Sequence, residues 1–282
     1  MQNEEREATQ RKIIETLHVA KTFDAAKEIE RRTAFLCARL EHGSRRTLVL
    51  GISGGVDSLL AGFLAQNAVQ RMRQRGQDAT FIAMRLPYGV QKDESEAQQA
   101  LDAIRPDRIM TVNIKTASDA LLAAVESGGQ AFSDAASRDF ILGNVKARQR
   151  MIAQYAVAGA TAGLVIGTDH AAEALTGFFT KFGDGACDLA PLTGLTKGRV
   201  RKLAAAFGAP EALVAKTPTA DLEDLMPLKP DEQALGISYD EIDDFLEGKP
   251  VSDRVWDRIL RQYRATAHKR RPPYTPFDDS GA

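Results

Sequence analysis

Residues 46–60 read RTLVLGISGGVDSLL, and a run of apolar β-formers that empties into glycines just ahead of an apolar-periodic stretch leaves few folds open. Thr47 to Leu50 reads as a buried strand, and from Ser58 the stretch SLLAGFLAQNAVQRM repeats apolar residues at helical spacing. The glycines therefore sit on a strand-to-helix turn. A helix N-terminus leaves backbone N–H groups unpaired and carries partial positive charge, while Gly51, Gly54 and Gly55 let backbone approach an anion without a Cβ in the way. A Walker A loop needs a Gly-Lys-Ser/Thr ending and a dinucleotide fingerprint needs G-x-G-x-x-G, and neither is present. An acid, Asp57, stands at the helix start instead. A carboxylate beside phosphate is repelled unless a divalent cation lies between them.

The rest of the chain has the periodicity that such a turn belongs to. Strand-like runs fall near residues 50, 82, 111 and 165, and helical stretches fall between and after them, at 142–160 and 195–209 for example. This alternation predicts an α/β fold with a doubly wound, mostly parallel sheet flanked by helices. The first forty residues read as helix, with Ala26, Ile29, Thr33, Leu36 and Leu40 on one stripe. Residues 215–235 hold three prolines and little periodicity, which reads as a long loop of the kind that is often either a functional lid or disordered. Ser238 and Glu241 form a capping-box pattern, and a last helix runs toward Pro272 and Pro273. The expected organisation is one domain over 1–282: N-terminal helices to about 42, a nucleotide-binding core over about 46–210, and a lid with C-terminal helices over about 215–282.

Composition narrows the class of function. The 282 residues carry 37 basic and 38 acidic side chains, a formal net charge of −1, without the basic excess of a dedicated nucleic-acid binder. The N-terminus is charged where a secretory leader would be apolar, and no run reaches membrane-spanning length. Cys37 and Cys187 form no CxxC pair. These features predict a cytoplasmic protein with no nucleic-acid or membrane partner.

In an open parallel sheet, ligands bind at the carboxyl ends of the strands. Arg85 ends the second strand, GTDHAAEALTGFFTKFGDG follows the fourth, and the helix before it carries Lys146, Arg148 and Arg150. Cations from several elements then converge with Asp57, Asp169 and Glu173 near one loop. Such a set suits a polyanionic substrate carrying magnesium. Taken singly the residues say less: Asp57 alone reads as a helix-start charge, His170 and His268 as satisfied histidines, and HKRR at 268–271 as a solvated helix end or a nucleic-acid patch.

SGGVDS resembles the SGGxDS loop of ATP pyrophosphatases, enzymes that split ATP between its α and β phosphates to activate a carboxylate or carbonyl as an adenylate. Within that group, RLPYGVQ, GNVKARQRM, GTDHAAEALTGFFTKFGDG, PTADLED and HKRRPP, in this order, resemble ammonia-dependent NAD synthetases over about residues 11–278. Val56 departs from the glutamine that several members carry. The resemblance implies that Gly51, Ile52, Ser53, Gly54, Gly55, Val56, Asp57 and Ser58 cradle ATP phosphates, with Arg85, Gln91, Thr168, Lys197 and Thr219 also on ATP. It implies magnesium on Asp57 and Glu173, deamido-NAD on Arg148, Lys181, Asp188, His268 and Lys269, and a homodimer. Catalysis falls to Asp57, Lys197 and, as a proton acceptor for ammonium, Asp221. ATP, deamido-NAD and ammonia are then the substrates. Two other readings stand beside this one, a tRNA-modifying ATP pyrophosphatase and a non-catalytic ATP-binding sensor of the universal stress type.

Overall fold

The computed structural model describes residues 2–90, 94–220, 225 and 229–278. The chain opens with α1 (Gln2–Thr16) and α2 (Ala25–His42), and enters the sheet through β1 (Thr47–Gly51), α3 (Val56–Gln74), β2 (Thr80–Arg85), α4 (Glu94–Ile104), β3 (Arg108–Thr111), α5 (Lys115–Ser127), α6 (Ala135–Ala160) and β4 (Gly163–Val165). Three helices follow, α7 (Ala171–Thr176), α8 (Lys197–Ala206) and α9 (Glu211–Val214). A short antiparallel pair, β5 (Thr219–Ala220) and β6 (Lys229–Pro230), leads into α10 (Asp231–Leu235), α11 (Tyr239–Leu246), α12 (Asp253–Ala265) and a 3-10 turn at Ala267–Lys269.

The larger sheet is wholly parallel, in the order β3-β2-β1-β4. Leu48 pairs with Phe81 on one side and Leu164 on the other, so β1 is buried centrally and every one of its residues from Thr47 to Leu50 is buried. The pleat divides those side chains between two cores. Leu48 and Leu50 join a cluster with α2, α3 and α8, while Val49 joins Ile82, Met84, Ile114, Ala158 and Val165 beneath α5 and α6. A third cluster, built on Leu175, Tyr239, Ile242, Phe245 and Ile259, holds α7 against α11 and α12.

Helix α3 is apolar nearly all round because the sheet, α2, α4 and α8 enclose it. Leu59, Leu60, Leu64 and Val69 are fully buried, each contributing about 1.5–3 kcal/mol by removal from water. At Gly62 a Cβ would meet Ile104 Cδ1 at 2.5 Å, which is how closely α4 crosses it. From β1 the chain proceeds outward to β2 and β3, then returns to lay β4 on the opposite side of β1. The strand order therefore reverses between β1 and β4. A crevice opens at that point, outside the carboxyl ends of both strands.

Candidate functional site

A cavity of about 460 Å³ fills this crevice. Its floor is the turn after β1. Gly54 adopts φ +85°, and a Cβ there would meet the backbone nitrogen of Ala97 at 2.8 Å, so both conformation and space require glycine. Ser53 and Ser58 brace the turn: Ser58 Oγ accepts from Ser53 N at 3.2 Å, and Ser53 Oγ accepts from Gly55 N at 3.2 Å. Gln154, from α6, accepts from Gly51 N at 2.8 Å. Buried Arg85, at the end of β2, donates to Ile52 O and to Glu94 Oε2, the latter at 2.7 Å.

Asp57 lies in the first turn of α3, and its nearest cation comes from the far part of the chain. Lys197 Nζ, only 1 % exposed as a residue, donates to both carboxylate oxygens at 2.7 and 3.0 Å. Burial works to raise the Asp57 carboxyl, but the Lys197 ammonium prevails and holds it below the usual carboxylate range. Lys197 is correspondingly raised against its own burial by Asp57 and Glu173. His170, fully enclosed, is pushed down to about 3 by burial and so is neutral. Its Nε2 stands 3.5 Å from Asp57 Oδ1 and 3.7 Å from Glu173 Oε2. Burial, reinforced by Asp57 and Asp169, pushes the Glu173 carboxyl well above its ordinary value. Donor atoms of Asp57, His170 and Glu173 all lie within 4.8 Å of one another. Two are carboxylate oxygens of the kind magnesium takes, and a cation among them would relieve the repulsion between the acids. The donor set fits that metal.

The cavity gathers most of the residues expected from the sequence: Gly51, Ile52, Ser53, Gly55, Val56, Asp57, Ser58, Arg85, Thr168, Glu173, Lys197, Thr219 and Lys269 all line it. Gly54 turns away to pack on α4. Arg148, Lys181 and His268 form a linked chain near Lys269. Arg148 Nη2 donates to Lys181 O at 3.2 Å, and Lys181 Nζ to His268 O at 2.6 Å. Lys269 Nζ donates to the carbonyls of Gly177 and Phe179 at 2.8 and 2.7 Å. Asp188 is elsewhere, accepting from Val165 N at 2.8 Å and lying 3.5 Å from Tyr155 Oη, outside the cavity lining among the described residues. Gln91 and Asp221 lie outside the described residues.

Sequence reasoning missed several members of the site. Gln154, Lys216 and Asp231 line the cavity, and Tyr239 lies behind Lys197 with its ring centroid 4.9 Å from Nζ. A lone glutamine inside a long helix carries no local signal, and Tyr239 was legible only as part of a capped helix.

A parallel α/β sheet with a braced glycine turn, an acid at the helix start and buried lysine opposite it, all at the switch point, defines an α/β nucleotide-binding enzyme. A family model described as NAD synthase matches residues 28–273, and the chain belongs to that family. An NH3-dependent NAD+ synthetase of Streptomyces coelicolor is 64 % identical over 269 residues, spanning 95 % of this chain and 98 % of the relative. One from Burkholderia pseudomallei is 59 % identical over 281 residues, 100 % of this chain and 99 % of the relative. Among solved structures, an NAD+ synthetase from Burkholderia pseudomallei superposes with a TM-score of 0.83 at 58 % identity, covering 94 % of this chain and 97 % of that one. An NMN synthetase from Francisella tularensis gives 0.79 at 33 % identity, covering 91 % and 100 %.

Proposed function

We infer that the chain amidates deamido-NAD with ammonia at the expense of ATP, giving NAD, AMP and pyrophosphate. The observation that carries this reading is the pair of half-buried Asp57 and buried Lys197 facing Glu173 at the mouth of a glycine turn, in a chain of this family. The nicotinate carboxylate is ionised at neutral pH and needs no protein nucleophile. It attacks the α-phosphorus of ATP while the amides of Gly51 to Ser58, with Arg85, Thr168, Thr219 and Lys197, hold the phosphates in line. Asp57 and Glu173 would hold magnesium, which would supply charge to offset that of the phosphates. Pyrophosphate leaves, ammonia attacks the adenylated carbonyl, and AMP departs. Asp221 is the proton acceptor we assign to ammonium, and Gln91 a further ATP contact; both lie outside the described residues.

Lys269 at the cavity wall, with Arg148, Lys181 and His268 beside it, is the cationic end we assign to deamido-NAD. Asp188 belongs to this set by resemblance, and its exposed carboxylate is tied to β4. We read residues 1–282 as one working unit that acts as a homodimer in the cytoplasm. In support, Leu121, Val125, Phe140, Ile141 and Ile152 expose an apolar surface on α5 and α6, and no helix among the described residues is long and apolar enough to cross a membrane.

The test is direct. Purified chain with ATP, magnesium, ammonium and deamido-NAD should yield NAD and AMP in equal amounts by mass spectrometry. The likeness to an NMN synthetase supplies a second reading, amidation of the mononucleotide. Competing the two acids in one reaction decides between them; a higher kcat/KM for the mononucleotide would displace deamido-NAD as the substrate.

A further inference from the structure

Lys197 stands at a place in its helix that physical chemistry disfavours. It is the first residue of α8, where the partial charge of the helix is positive, and the first turn of α8 contains no acid of its own. Its ammonium is nevertheless enclosed and aimed at Asp57. A four-carbon stem has about 2 kcal/mol of rotamer entropy to lose in adopting one such position. Something must offset both costs.

The missing negative charge comes from α11. Asp243 accepts from the backbone nitrogen of Lys197 through Oδ1 at 3.0 Å and from that of Gly198 through Oδ2 at 2.6 Å, so one carboxylate satisfies two otherwise unpaired amides at the α8 N-terminus. Thr196, which caps the helix within its own segment, bonds Asp243 as well. The approach is close enough that a Cβ on Gly198 would stand 3.0 Å from Oδ2. Four residues earlier on α11, hence on the same face, Tyr239 places its ring 4.9 Å from Lys197 Nζ. Tyr239 Oη donates to Asp231 Oδ2 at 3.0 Å, which fixes the ring. One face of α11 thus grips the lysine at both ends, the backbone by Asp243 and the ammonium by Tyr239.

We propose that Asp243 is a positioning residue for Lys197, holding the root of its side chain so that the ammonium stays at the phosphate end of the cavity. This rests on the reading that Lys197 contacts the phosphates of ATP. The experiment is a double-mutant cycle on the binding of α,β-methylene ATP with magnesium, followed by calorimetry on the full chain at a temperature where every variant is folded. Lys197→Gln, Asp243→Ala and the double variant are compared, with Asp243→Asn as a milder variant that keeps one acceptor oxygen. Asp243→Ala should weaken binding about 10-fold in the native background, equivalent to about 1.4 kcal/mol, and less than about twofold when Lys197 is already glutamine. Asp243→Asn should show a smaller loss with the same dependence on Lys197. Equal losses in both backgrounds assign Asp243 a general structural role and overturn the proposal, as does no loss for either Asp243 variant while Lys197→Gln weakens binding. Unchanged binding in Lys197→Gln overturns the phosphate reading of the lysine, and the proposal with it.

Discussion

Asp57 shares its charge with a lysine 140 residues further along the chain, and removing that charge affects both partners. In Asp57→Asn the shape is kept, while Lys197 loses its anion and Glu173 loses a neighbouring charge that helps push its carboxyl up. Adenylation should fall by at least about 100-fold, the scale associated with losing one electrostatic contact to a transition state, as read by pyrophosphate release. Native-like circular dichroism should accompany that loss; near-normal turnover with magnesium limiting would remove Asp57 from the metal site. The asparagine variant probes a role that was already legible in SGGVDS, because glycines, acid and helix start are contiguous and their spacing is a local property. Lys197 was legible by resemblance alone. Nothing in the sequence indicated that His170, Tyr239 and Asp243 would meet near it, since their approach depends on β4 returning to lie beside β1 and on α11 packing against α8.

Asp107 shows how elements are tied at the opposite edge of the sheet. Just ahead of β3, it accepts from Phe81 N on β2 at 2.8 Å and from Arg73 and Gln66 on α3 at 2.8 and 3.2 Å. Burial opposes ionisation, but these donors prevail and hold its carboxyl below the ordinary range. A depressed folded-state value means stability that is present above the unfolded pKa, about 3.9, and lost as pH falls through the folded one. Asp107→Asn should therefore cost about 1–2 kcal/mol at pH 7, after allowance for partial solvent screening, and the gap from the native chain should close under strongly acid conditions. Urea midpoints across pH check it; a gap independent of pH would assign the cost to shape rather than charge. Strand β2 was readable because a buried parallel strand is a continuous apolar run, whereas β3 at the edge is mostly exposed. Boundaries were less readable. Helix α6 begins at Ala135, capped by Asp134 accepting from Ser137 N at 2.7 Å, seven residues before its apolar periodicity becomes visible. The N-terminal forty residues split into α1 and α2, with Asp24 capping the second, and α12 ends at Ala265, well short of the prolines. The expected loop at 215–235 includes the β5–β6 pair and α10, elements too short to leave a periodic trace.

At the scale of the whole molecule the two thiols bear on the source of nitrogen. Use of glutamine needs a nucleophile, most often a cysteine whose thiol is lowered toward neutrality. Cys37 is buried on α2 within the core around Leu36 and Leu40, and burial pushes its thiol up. Cys187 is half-buried beside Gly167, with its thiol pushed up to about 11 by burial and by Asp169 and Asp188. Both are protonated at neutral pH and poorly suited to attack an amide. The cavity itself offers carboxylates and cations but no thiol among its lining residues. Free ammonia should therefore be the direct substrate, with NAD formation at fixed total ammonium rising as pH rises and a larger share loses its proton. Cys187→Ser should retain that activity within about twofold, since its hydroxyl occupies nearly the same volume at a site where no thiolate is called for. Ammonia-free glutamine should support little synthesis by the purified chain. Efficient NAD formation from glutamine, abolished by Cys187→Ser, would overturn this assignment and make that thiol a nucleophile despite its raised pKa.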